Sequence, residues 1–133
     1  LDVAGNRAKV KQAVAALQEK GIIVSLFIDA DLRQVEASRE VGAEAIELHT
    51  GRYSDASAGD KPARVAEVAT ACKVAGDAGL VVHAGHGLTY ANVVPVARIR
   101  GFDEFNIGHS IVSRAVFVGL EQAVREMKRL IDL

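Results

Sequence analysis

The chain has 133 residues, 50% of them hydrophobic, with 16 Lys and Arg against 17 Asp and Glu and a formal net charge of −1. That is one domain's worth of sequence, large enough to bury a core, and the absence of a basic block argues against nucleic acid or an anionic membrane as main partner. A single cysteine, Cys72, excludes a disulfide framework and favours a reducing cytoplasm, while two prolines and 5% aromatics exclude a Pro-rich disordered linker.

The first helix is predicted from Val10, Ala13, Val14 and Leu17, which fall on one helical face, with Asn6 as cap and Gly21 as stop. A β-branched run, Ile22–Ile28, reads as a strand and is followed by Asp29-Ala-Asp31 and a second helix through Glu40, ended by Gly42. Neither Ile22–Val24 nor Leu26–Ile28 approaches the ~20 apolar residues of a membrane helix. Ala45–His49 alternates as a strand does, Arg52–Lys61 reads as a loop, and Pro62 suits the first turn of a third helix. Val65, Val68, Ala69 and Cys72 mark that helix, which Gly76 or Gly79 closes. Leu80–Ala84 is the third predicted strand, Thr89–Arg100 the fourth helix, and Phe105–Ile107 the fourth strand. A last helix carries the stripe Val116, Leu120, Ala123, Val124, Met127 and Ile131. The chain starts at Leu1, has its one methionine at Met127 and shows no leader pattern, so it reads as a piece of something longer.

Strictly alternating helices and strands demand parallel strands joined by helical crossovers. Four such units in 133 residues match the ~31 residues per unit implied by about 250 residues for an eight-unit β/α barrel. Gly21, Gly42, Gly79 and Gly101 each stand between a helix and the next strand, where a left-handed residue is expected. The opposite, C-terminal strand ends carry Asp29, Asp31, Glu47, His49, Thr50, His83, His86, Asn106 and His109. Sites in parallel α/β folds are built on that face. Strand parity puts Ile46 and Leu48 on one side and Glu47 and His49 on the other, and Leu26 and Ile28 oppose Ser25, Phe27 and Asp29 in the same way. One polar face favours a barrel over an open three-layer sheet. The expected architecture is half a TIM (β/α)8 barrel, spanning 1–133 without an internal boundary.

His83-Ala-Gly-His-Gly87 combines two imidazoles, able to titrate near neutral pH, with two glycines that let backbone approach a substrate. It reads equally as a tight turn with satisfied histidines; His86 is the better catalytic candidate and His83 the better packing residue. Glu47-Leu-His-Thr-Gly51 offers either electrostatic stabilisation in a water-poor mouth or an ordering ion pair between Glu47 and His49. Asn106-Ile-Gly-His-Ser110, running into a helix, suits an anion on free backbone amides, or a plain cap through Ser110 or Ser113. Asp29-Ala-Asp31 suits a helix cap better than a metal. Glu47 and the four histidines lack HExxH or CxxC spacing, so no metal site is expected.

Taken in order, Val24–Asp31, Ile46–Gly51, Ala84–Tyr90, Asn106–His109 and the final Gly119–Leu130 pattern resemble the pyridoxine 5′-phosphate synthase family over essentially the whole chain. The resemblance implies the C-terminal half of a (β/α)8 barrel, strands five to eight, in a cytoplasmic homo-octamer. It implies condensation of 3-amino-2-oxopropyl phosphate with 1-deoxy-D-xylulose 5-phosphate to pyridoxine 5′-phosphate, releasing phosphate and water without metal or organic cofactor. By the same resemblance His86 matches the proton donor and Glu47 the transition-state stabiliser. Gly87 matches a substrate-binding glycine, and Gly108 with His109 the phosphate-binding pair. The family's remaining catalytic and phosphate-binding residues belong to strands one to four, so residues 1–133 alone are expected to be inactive. The competing classes are a non-catalytic phosphate-binding or assembly module and a metal-dependent hydrolase; product formation from both substrates separates the first, elemental analysis the second.

Overall fold

Helices and strands alternate along the chain in the computed structural model, which describes residues 1–132. The order is α1 (Arg7–Gln18), β1 (Ser25–Asp29), α2 (Leu32–Glu40), β2 (Ala45–His49), α3 (Gly51–Ser54) and α4 (Lys61–Asp77). There follow β3 (Val81–Gly85), α5 (Val93–Ala97), β4 (Glu104–Asn106), α6 (His109–Val118) and α7 (Leu120–Ile131). The strands form one parallel sheet in the sequential order β1-β2-β3-β4. A doubly wound sheet reverses its strand order part-way, whereas sequential order is how a barrel is built. This is the arrangement of a partial (β/α)8 barrel, as expected from the sequence.

Strand parity decides which side chains are buried. Leu26, Ile28, Ile46, Leu48, Val82 and Ala84 pack into one core with Val35, Val68, Cys72 and other helix residues. Ile28, Ile46, Leu48 and Ala84 are completely buried. Their alternates Ser25, Phe27 and Asp29 on β1 are exposed, and Glu47, His49 and His83 are half-buried. Burial raises the Cys72 thiol to about 11, so this side chain stays a neutral core residue.

The glycines predicted to close helices behave as expected: Gly21, Gly42, Gly79 and Gly101 all have positive φ. Asp31 caps α2 by accepting the Arg33 amide at 2.9 Å, and hydrogen bonds from the Arg33 side chain and amide hold its carboxyl below the usual range. Asn6 stands at the start of α1 but does not cap it; its side chain donates to the Asp2 carbonyl.

Several boundaries differ from the sequence reading. β1 starts at Ser25 rather than Ile22, because the Val24 amide bonds to the Glu44 carboxylate instead of a strand carbonyl, leaving Ile22 and Ile23 exposed. The predicted loop Arg52–Lys61 begins inside the short helix α3. The fourth helix shrinks to α5, since the Thr89 amide is taken by the Asn92 side chain, which turns the chain before the helix begins. The fourth strand sits one residue earlier than predicted, at Glu104–Asn106. The last helix is two helices, and only part of its predicted stripe is buried. Ala123 and Met127 are buried, whereas Val116 and Leu120 are exposed. An apolar periodicity can run unbroken through a bend in the backbone.

The bend is made at Gly119, with φ 82° and ψ 155°, a region essentially reserved for glycine. Arg114 on α6 then pairs with Glu126 on α7, Nε to Oε2 at 2.9 Å. Gly119→Ala should therefore destabilise the fold by about 1–3 kcal/mol. Urea denaturation reads this as a lower midpoint, and a midpoint equal to the parent's would show that the bend does not need glycine.

Candidate active site

Parallel pairing lines up the polar face in rows. Phe27, Glu47, His83 and Glu104 form one row across the four strands, and Asp29, His49, Gly85 and Asn106 form the next. The second row lies at the C-terminal strand ends.

The Glu47 side chain makes a hydrogen bond across the sheet rather than along its own strand. The Asn106 side-chain Nδ2 donates to Glu47 Oε2 at 2.8 Å, linking β2 to β4 over the intervening β3. Gly85 makes the crossing possible. A Cβ at that position would overlap Glu47 Oε1 and stand 3.1 Å from the Asn106 carbonyl oxygen. The ion pair between Glu47 and His49 weighed from the sequence does not form. The His49 Nδ1 instead lies 3.5 Å from Asp29 Oδ1, beyond a good hydrogen bond, and is buried without a hydrogen-bond partner among the described residues. The His49 ring is held by packing, edge-on to Phe27 at 5.1 Å and tilted against His86 at 4.5 Å between centroids.

His86 itself lies just past the end of β3 in a left-handed conformation, φ 79°, followed by Gly87 at φ 74°. The two glycines that flank His86 do not serve the same purpose. Gly85 makes room for Glu47, whereas a Cβ on Gly87 would approach Ser54 Oγ to 2.5 Å. The closest approaches at both glycines are thus to the protein itself, not only the substrate approach expected from the sequence. His83 lies within β3, half-buried between Glu47 and Glu104 in its row.

Gly108 is the N-cap of α6 and His109 its first residue, with no side-chain cap on the helix. Ser110 does not cap it, because its hydroxyl donates to the Leu88 carbonyl at 2.9 Å. Ser113 lies inside the helix. The uncapped amides of the first turn, with the positive end of the helix dipole, are free to meet an anion.

A cleft of about 530 Å³ brings these parts together: Glu47, His86, Gly87, Gly108 and His109 all line it, with Phe27 and Asn106 among their neighbours. All five residues singled out from the sequence therefore share one cavity. Among the described residues, no group of three His, Cys, Asp or Glu side chains is placed to hold a metal ion.

The family model described as pyridoxal phosphate biosynthesis protein PdxJ matches residues 1–133. The chain belongs to the PdxJ family. It is 52% identical over 132 residues to a pyridoxine 5′-phosphate synthase of Trichlorobacter lovleyi, covering 98% of this chain and 55% of that protein. It is 55% identical to the protein of that name from Parasynechococcus marenigrum, covering 99% of this chain and 53% of the relative. The corresponding Synechocystis protein is 55% identical over 129 residues, covering 96% and 53%. The chain thus spans about half the length of the curated relatives it matches, and it corresponds to their C-terminal half.

Two functional contributions escaped sequence reasoning: Gly85 as the opening for Glu47, and Asn106 as its hydrogen-bond donor. The signal for the second was present, since Asn106 stands at a strand end and Glu47 on the polar face of another strand, but the crossing needs strand order and register. Gly85→Ala should displace the Glu47 carboxylate and break its bond to Asn106. A crystal structure of the variant checks this; an unmoved Glu47 with the bond intact would show that the sheet yields instead.

Proposed function

We propose that these residues form, within a longer protein, the C-terminal half of a pyridoxine 5′-phosphate synthase. The reaction is condensation of 3-amino-2-oxopropyl phosphate with 1-deoxy-D-xylulose 5-phosphate, releasing phosphate and water. The observation that carries the reading is the convergence of Glu47, His86, Gly87, Gly108 and His109 on one cleft in a chain of the PdxJ family. Relatives at 52–55% identity bear the synthase name. Residues 1–133 are taken as half of one (β/α)8 domain without an internal boundary. The complete protein is proposed to work as a cytoplasmic homo-octamer, in keeping with the family resemblance. Among the described residues, no helix is long and apolar enough to cross a membrane.

The chemistry assigns each residue a task. Closing the pyridine ring requires loss of water and phosphate, and each departing oxygen needs a proton. His86 is the general acid that supplies it. Intermediates formed by the amine and a carbonyl carry iminium-like positive charge. Glu47, oriented as an acceptor by the Asn106 amide, stabilises that charge. Gly87 contacts substrate. The backbone amides at Gly108 and His109, at the start of α6, hold a phosphate group of substrate or product. Residues 1–133 alone would lack the partner groups of the other half and are proposed inactive by themselves.

The deciding experiment supplies both substrates to the complete protein and follows pyridoxine 5′-phosphate. His86→Asn should keep the fold and lower turnover by ~10²–10⁴; turnover within a few-fold of the parent would remove His86 from the mechanism. Glu47→Gln retains shape but loses charge, so turnover should fall much more than substrate binding. A rise in KM alone would make Glu47 a binding contact. Gly108→Val should weaken binding of inorganic phosphate, measured by calorimetry, and unchanged affinity would relocate the anion site.

A further inference from the structure

Among the described residues, His86 is the one non-glycine residue with positive φ. A histidine is uncommon there, and such a conformation persists only where its surroundings fix it. The surroundings do so through successive carbonyl groups. The Leu88 carbonyl accepts from Ser110 Oγ at 2.9 Å, and the Gly87 carbonyl from Asn92 Nδ2 at 3.0 Å. Thr50 holds the two carbonyls before them. Its amide donates to the Gly85 oxygen at 2.8 Å. Its hydroxyl lies 2.8 Å from that same oxygen and 2.5 Å from the His86 oxygen. A hydroxyl has one proton. With the Gly85 carbonyl already satisfied by the amide, that proton is free for the His86 carbonyl.

Thr50 is completely buried and occupies the N-cap position of α3, yet its side chain makes no cap bond there. Threonine at this position ordinarily caps its own helix. Here the hydroxyl serves instead the turn at the end of the neighbouring strand.

We propose that Thr50 is a positioning residue for His86. It fixes the left-handed turn so that the imidazole is presented to the cleft in one orientation. The proposal rests on the reading of His86 as the proton donor. A group that acts on orientation should affect the transition state more than the bound substrate, because small misplacement of a reacting group costs rate steeply.

The test uses the complete synthase. Thr50→Val removes the hydroxyl and preserves shape; kcat should fall about 10- to 100-fold with KM for both substrates little changed. Thr50→Ser restores the hydroxyl and should recover most of the turnover. In the His86→Asn background, adding Thr50→Val should cause no further loss, since residues acting through one another are not additive. Circular dichroism and thermal melting report whether each variant is folded. Should Thr50→Val fail to fold, Asn92→Ala removes the donor to the Gly87 carbonyl from a less buried place and should give the same selective fall in kcat. A parent-like kcat in a folded Thr50→Val or Asn92→Ala variant, beside a disabled His86→Asn, overturns the positioning role alone. So does a full additional loss in the double variant. Parent-like turnover of His86→Asn instead overturns the acid assignment, and this proposal falls with it.

Discussion

Side chains alternate from face to face along a strand, and the helix layer of this chain can cover only one of those faces. The rest of the molecule follows from that constraint. The aliphatic positions of β1, β2 and β3 go to the helix side, where Ile28, Ile46, Leu48 and Ala84 lose all contact with water. The intervening positions are thereby released from packing. Glu47, His49 and His83 stand among them, half-buried, with Glu47 and His83 side by side in register. A one-residue slip in pairing would send the carboxylate and both imidazoles into the hydrophobic layer, so the register that builds the core also secures the site.

Within the site, precision comes from bonds between elements rather than within them. Glu47 reaches Asn106 over Gly85, spanning three strands. The turn at His86 is tied to the end of β2 by Thr50, to the start of α5 by Asn92 and to α6 by Ser110. Backbone strain at His86 is compensated by these bonds, which use carbonyl groups that no ladder or helix satisfies. Ser110 follows directly on His109, so the same bond sets the start of α6 against the turn that carries the imidazole. His86, the Glu47 carboxylate and the uncapped helix end are thus tied to one another through these bonds.

Beside this cleft the polar face also departs from ordinary solvent exposure. The buried, unpartnered Nδ1 of His49 faces Asp29, while its ring packs between Phe27 and His86. The exposed His86 ring thus has the His49 ring as its aromatic neighbour on one side.

Much of this was legible in the sequence, and the limit has a physical form. The alternation at Ala45–His49, the glycine stops at Gly21, Gly42, Gly79 and Gly101, and the Asp31 cap depend on residues within a few positions of one another. The sequence displays such relations directly. The cleft residues were legible because His86, Gly87, Gly108 and His109 follow strand ends and Glu47 alternates with the apolar positions of its own strand. The helix bend at Gly119 was not, since an apolar repeat reports which positions want burial and not whether the axis between them is straight. The bond from Asn106 to Glu47 joins positions 59 apart, and that from Thr50 to the His86 carbonyl positions 36 apart. Only strand order and register bring such pairs together. The sequence by itself determined which residues could do chemistry; the tertiary structure decided which of them hold one another in place, because hydrogen bonding depends on distance in space and not along the chain.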